Sequence, residues 1–380
     1  MTRLAAATVL AALATMCAPA VHAQDPLDLM ETVADWQLAH IEDRTAYPPN
    51  APPDTWEPRG WIQSVFFVGL TDLADRSRQR RFSQAIMDRG ASQHWQPGDR
   101  LMLADDQVIA QVYLWAHARA GDPAMLAPTR ANFDAILAHP PHVSLEFDAK
   151  TVRGAGTPCQ VRWCWCDALF MAPRSWVELS AAVGDMRYLA YADTEFWATT
   201  DYLYDRKEHL FYRDSRFFQQ RDERGGKIFW SRGNGWVIAG IARLLEVLPP
   251  DHPSRPRYEA LLREMAARLV TLQTPAGYWP TSLLNGDTSQ PPETSGTAFI
   301  VYGLAWGINH GVLQRAAYQK SIERGWGALA RAVDANGKLG WVQQVGVAPD
   351  VVRAEDTQFY AAGALLLAGG QVRDLRRSNH

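Results

Sequence analysis

The sequence predicts an all-α protein whose helices close into an (α/α)6 barrel, and three observations carry that expectation. Apolar residues recur at helical spacing in segment after segment, glycine and aspartate recur together at the joints between segments, and clusters of polar and aromatic residues return just before apolar segments begin.

The helical spacing covers 27–41, 61–73, 108–118, 169–183, 237–248, 258–272, 298–308, 316–333 and 359–367, whereas long alternating strand patterns are nearly absent. At Ala120-Gly121-Asp122 and Val183-Gly184-Asp185 a glycine able to end one helix precedes an aspartate able to cap the next, which makes a helical hairpin; Asn309-His310-Gly311 is a looser copy. The polar and aromatic clusters lie at 56–61, 105–106, 163–167, 230–236, 293–297 and 355–357. If alternate helices form an inner ring, their N-termini gather these clusters and the positive helix ends at one mouth. An open α-solenoid is the competing architecture, but it supplies aromatics to one rim less regularly.

Arg3 followed by an apolar run and then Val21-His22-Ala23 reads as a secretory signal peptide cut after Ala23, so 1–23 are expected to be removed and 24–380 to form one catalytic domain, exported to the periplasm or the medium. The run is shorter than the roughly 20 apolar residues of a membrane span, and no membrane partner is expected. A formal net charge of −3 gives no field that would gather nucleic acid. Cys159, Cys164 and Cys166 crowd one segment of a chain bound for an oxidising space, which predicts one disulfide and one free thiol rather than a zinc site. The 15 tryptophans exceed what a core of this size requires, and flat aromatic faces stack on sugar rings.

In the run from Arg162 to Pro173, Asp167 follows Trp163 and Trp165 at a helix start. It is open to two readings, a helix cap, which the residues alone favour, or a general acid whose carboxyl is kept protonated by apolar surroundings. In Phe229-Trp230-Ser231-Arg232-Gly233-Asn234-Gly235-Trp236, Arg232 and Asn234 offer donors between two stacking faces, Trp230 and Trp236. Asp105 and Asp106 offer a second carboxylate or favourable partners for a helix N-terminus. Glu293 to Thr297 reads as a cap. The histidines are isolated, and no nucleophile triad, metal spacing or nucleotide-binding glycine motif is present.

Together, Trp165-Cys166-Asp167-Ala168-Leu169-Phe170-Met171-Ala172, Trp230-Ser231-Arg232-Gly233-Asn234-Gly235-Trp236, Glu293-Thr294-Ser295-Gly296-Thr297 and Leu339-Gly340-Trp341-Val342-Gln343 resemble glycoside hydrolase family 105, the unsaturated rhamnogalacturonyl hydrolases, related to the unsaturated glucuronyl hydrolases of family 88. The resemblance runs from about Trp61 to Gly369. It implies a six-hairpin glycosidase acting on oligosaccharides with a 4,5-unsaturated uronic acid at the non-reducing end, and no cofactor or metal. Asp167 matches the catalytic aspartate, Asp105 or Asp106 a second active-site aspartate, and Trp61, Trp165, Arg232, Asn234 and Trp236 the substrate-binding positions. The implied chemistry is protonation of C4 by Asp167 and addition of water at C5, after which the sugar opens and the bond at C1 is lost. Where the family commonly keeps an active-site histidine after Leu210-Phe211-Tyr212, this chain has Arg213, a permanent cation able to hold a carboxylate. Two other functions fit the residues less well: an inverting glycosidase that pairs Asp167 with Asp105 or Asp106 on saturated glycans, and a sugar-binding protein without catalysis.

Overall fold

The computed structural model describes residues 25–148, 158–285 and 290–378; the expected signal peptide at 1–23 lies outside them. The helices are α1 (Pro26–Ala39), α2 (Trp61–Arg76), α3 (Arg80–Ser92), α4 (Ala104–Gln107), α5 (Ala110–Ala120), α6 (Ala127–Ala138), α7 (Ala168–Met171), α8 (Pro173–Val183), α9 (Met186–Leu203), α10 (Ser231–Val247), α11 (Arg255–Val270), α12 (Thr294–Asn309), α13 (Arg315–Arg331) and α14 (Phe359–Arg377). Strands β1 (Tyr204–Asp205) and β2 (Leu210–Phe211) form a short antiparallel hairpin after α9.

Neighbour packing makes the ring. Helix α2 touches α4 and α5, these touch α7 and α8, which touch α10, and the ring continues through α12 and α14 back to α2. Around it α3 packs on α2, α9 on α8, α11 on α10, α13 on α12 and α1 on α14, while α6 packs on α9. This is the (α/α)6 barrel the sequence predicts. Three of the inner helices are buried on every face over most of their length: α10 from Ser231 to Leu245, α12 from Thr294 to Ile308, and α14 from Phe359 to Val372. The outer ones bury one stripe, as α11 does with Tyr258, Leu261, Leu262, Met265, Ala266 and Leu269.

Ring closure requires two backbones to meet. A Cβ added at Gly363 of α14 would lie 2.2 Å from the Val65 carbonyl oxygen of α2, and one added at Gly69 would lie 2.3 Å from the Gly363 oxygen. Only glycine permits that approach. The joints form as expected: Gly121 and Gly184 end α5 and α8 with φ +70° each, and Asp122 and Asp185 accept hydrogen bonds from the amides of Ala124 at 2.9 Å and Arg187 at 3.0 Å. Pro173 has no N–H to continue α7, so the third inner helix is broken into α7 and α8 there.

Candidate active site

The N-termini of α2, α4, α7, α10, α12 and α14 share one mouth, and a cleft of about 170 Å³ opens among them. Trp61, Asp105, Trp165, Asp167, Met171, Arg213, Trp230, Arg232, Val345, Gly346 and Val347 line it.

Asp167 precedes α7 but makes no capping hydrogen bond, so the cap reading fails and its carboxyl faces the cleft at 8% exposure. Burial pushes that carboxyl above the usual range, opposed by Arg213, Arg232 and the Cys166 thiol, whose Sγ lies 3.4 Å from Oδ2. The two adjacent acids separate cleanly. Asp105 looks into the cleft, and burial, with the Asp167 charge behind it, raises its carboxyl to about 7 against the pull of Arg213 and Arg100. Asp106 points away, accepting from the Arg100 amide at 2.7 Å and pairing with Arg100 Nη2 at 2.6 Å. Of the two expected candidates it is Asp105 that lines the cleft, because one residue along a helix start turns the side chain to another face. Asp105 and Asp167 are two interacting carboxyls, and the proton they hold near neutrality belongs to the pair.

Arg213 reaches the same place from the segment after β2. Its Nε is 3.5 Å from Asp167 Oδ2 and buried without a hydrogen-bond partner, while Nη1 donates to Asp214 at 2.7 Å. The Cys166 amide donates to the Arg213 carbonyl at 2.9 Å, tying the arginine to the residue beside Asp167. Asn234, expected on the substrate, is instead wholly buried behind the cleft. It accepts from the Phe211 amide at 2.8 Å and donates to the carbonyls of Phe211 at 3.1 Å and Trp230 at 3.0 Å, and so fixes the strand that leads to Arg213. Trp236 is also a correction: it lies in the core, 4.0 Å from the Phe299 ring and 6.3 Å, edge on, from Trp61. Trp61 itself reaches the cleft, stacked on Tyr360 at 5.1 Å.

Arg232 lines the cleft, but its donors are largely spent on backbone: Nη1 on the Gln343 carbonyl at 2.5 Å and Nη2 on that of Gln344 at 2.9 Å, with its guanidinium 4.4 Å from the Trp230 ring. Those carbonyls begin the 343–347 loop, so Arg232 holds one wall in place. Met171 and the loop residues Val345, Gly346 and Val347 are lining residues that the sequence reasoning missed; the Leu339–Gln343 motif ends just short of the loop and is the nearest signal for it. Glu293 is the cap it was expected to be, accepting from the amides of Ser295 at 2.9 Å and Gly296 at 2.7 Å. Cys159 and Cys164 form the disulfide, leaving Cys166 as the buried free thiol. Among the described residues no group of three or more His, Cys, Asp and Glu could hold a metal ion, and no helix is long and apolar enough to cross a membrane.

The profile of Glycosyl Hydrolase Family 88 matches residues 29–375. An unsaturated 3S-rhamnoglycuronyl hydrolase of Alteromonas sp. (strain LOR) is 41% identical over 347 residues, 90% of this chain and 84% of the relative. A protein of the same description from Formosa agariphila is 34% identical over 349 residues, 90% of this chain and 88% of the relative. The solved structure of a glycosyl hydrolase family 88 protein from Bacteroides vulgatus superposes with a TM-score of 0.79 at 26% identity, covering 92% of this chain and 98% of the other. With a profile that spans the barrel from α1 into α14 and two relatives above 30% identity over nine-tenths of its length, the chain belongs to glycosyl hydrolase family 88.

Proposed function

We propose that the enzyme releases a terminal 4,5-unsaturated uronic acid from oligosaccharides left by a polysaccharide lyase, with a rhamnose next to the uronate. The observation that carries this reading is the pairing of Asp167 with Asp105 in a tryptophan-lined cleft that also holds a buried guanidinium, Arg213. The names of the two curated relatives support the sugar pair.

In this reading Asp167 donates its proton to C4 of the unsaturated ring. Positive charge then spreads over C5 and the ring oxygen, water adds at C5 while Asp167, now a carboxylate, takes a proton from it, and the resulting hemiketal opens and expels the neighbouring sugar. Asp105 orients the water. Burial raises both carboxyls, Asp105 to about 7, so the pair holds a proton to higher pH than a pair of ordinary aspartates would. Arg213 takes the uronate carboxylate, because its buried Nε points at Asp167 with no other partner. Trp61, Trp165 and Trp230 supply sugar-stacking and excluding surface, and Asn234 and Trp236 act behind the cleft as positioning residues. The leader-like 1–23 segment supports export and a site of action outside the cytoplasm.

The test follows the near-ultraviolet absorbance of the conjugated double bond during reaction in heavy water and oxygen-labelled water. Deuterium at C4 and labelled oxygen at C5 are expected. Label at C1, or cleavage of saturated oligosaccharides at a comparable rate, would replace this reading with direct glycosidic hydrolysis.

A further inference from the structure

Two residues of the cleft do nothing in the proton transfer. Val345 and Val347 both line it, at 37% and 41% exposure, and they are two of the five large hydrophobic residues exposed among the described residues. The loop that carries them is not loose. Arg232 and the Tyr360 hydroxyl donate to the Gln343 carbonyl, the latter at 2.6 Å; Trp230 Nε1 donates to Gln343 Oε1 at 2.8 Å. Gln343 Nε2 then donates across the loop to the Ala348 carbonyl at 2.7 Å, and Gln358 Nε2 holds Gln344 Oε1 at 2.8 Å. Buried side chains thus fix both feet of a short loop whose tip presents branched, apolar groups to the cleft. A surface fixed before binding loses little entropy when a ligand covers it.

We propose that Val345 and Val347 are specificity-determining residues that receive the C6 methyl of a 6-deoxyhexose in the position following the uronate, an inference that rests on the function proposed above. The depth of the cleft assigns the position. Asp167 is 8% exposed and the Arg213 side chain 12%, so the reacting uronate occupies the deep end and the sugar attached to it meets the rim. The chemistry assigns the group. A valine side chain offers neither a flat face for a sugar ring nor a donor or acceptor for a hydroxyl, but it fits a methyl. A hydroxymethyl at the same place loses hydrogen bonds to water and gains none from either side chain.

The matched substrates are unsaturated uronyl disaccharides of L-rhamnose and of L-mannose, which differ only by methyl against hydroxymethyl at C6. The wild-type enzyme is expected to favour the rhamnoside in kcat/KM by about tenfold, the scale of one group in an apolar pocket. In the V345T/V347T double variant, which keeps the branched shape and adds hydroxyls, that ratio is expected to fall to about twofold or less. Equal use of the two disaccharides by the wild type, or an unchanged preference in the double variant, overturns the inference and leaves the proposed reaction standing. Turnover of neither disaccharide overturns both.

Discussion

At the mouth of the barrel two carboxyls, Asp105 and Asp167, both feel the Arg213 guanidinium, which stands 3.5 Å from Asp167 without a hydrogen bond to it. At the opposite end acids and arginines meet directly. Arg174 holds Glu178 at 2.7 Å and also Glu246, Arg76 holds Asp72 at 2.8 Å and Asp374 at 2.7 Å, and Arg119 holds Asp75. The carboxyls respond accordingly. Burial raises Glu246, but Arg174 and Arg243 together outweigh it and keep that acid ionised, whereas at the mouth burial prevails. Asp72 shows that a partner alone does not decide the matter, since burial lifts it to about 6 despite Arg76. The difference teaches how one ring serves two ends. Where inner helices finish, arginines complement their negative termini and close the structure; where they start, positive termini tolerate acids that are left short of cations.

The sharpest break between the ends is a substitution of the same kind at each. Asp167→Asn should lower kcat on an unsaturated uronide by a factor on the order of 100 or more, with the melting temperature little changed, because it removes proton transfer and keeps the shape. Near wild-type turnover would remove Asp167 from the acid's role. At the other end Arg174→Ala should leave kcat/KM within about twofold while costing about 3 kcal/mol in urea unfolding, since it removes the arginine paired with both Glu178 and Glu246. A loss of activity larger than the loss of folded protein would show that the ends are coupled.

A finer contrast lies between neighbours. Asp105→Asn should reduce kcat by roughly tenfold or more. Asp106→Asn should instead cost about 1–2 kcal/mol of stability through its bonds to Arg100 and affect turnover less. The pH dependence of stability separates them further. Asp105 has a folded-state value above its unfolded one, so its contribution is complete below about pH 3.9 and is lost as the pH rises through about 7. Asp105→Asn removes that loss, and at pH 8 the variant should be the more stable protein by at least about 1 kcal/mol. A variant less stable than wild type at pH 8 contradicts the raised value.

The smallest expected effect is at Arg213. Its charge holds Asp167 down against burial, so Arg213→Ala should move the alkaline limb of the kcat profile upward and raise KM. Arg213→His should add a titration near the imidazole value of about 6.5. If neither variant alters the profile or KM, the arginine does not act on substrate or on Asp167.

The inner helices were legible because their apolar residues are dense, most of all in α10, α12 and α14, and their starts because the polar and aromatic clusters stand there. Helices α3, α6 and α9 were not. Helix α3 buries only Phe82, Ile86 and Gly90 among arginines and small polar residues, and α6 only Thr129, Phe133 and Ile136, too sparse a stripe to show as a period. At the site, Trp165-Cys166-Asp167 could be found as a motif, but a motif does not say which way a side chain turns. Asn234 and Trp236 sit within the same eight residues as Trp230 and Arg232, yet α10 turns Asn234 to another face than Arg232, and Trp236, on the Arg232 face but one turn further along, lies in the core. The valine loop escaped because no chemistry-bearing residue type marks it.

The glycine contact between α2 and α14 sets an order of events in synthesis. The two helices whose backbones meet at Gly69 and Gly363 leave the ribosome at opposite ends of translation, so most of the chain emerges while one flank of α2 waits uncovered. Until α14 arrives, Trp61 also lacks Tyr360 and the Gln343 carbonyl lacks that tyrosine's hydroxyl. The nascent chain therefore holds its acids before it holds a finished cleft, and competence to bind sugar comes only with the last turn of the ring.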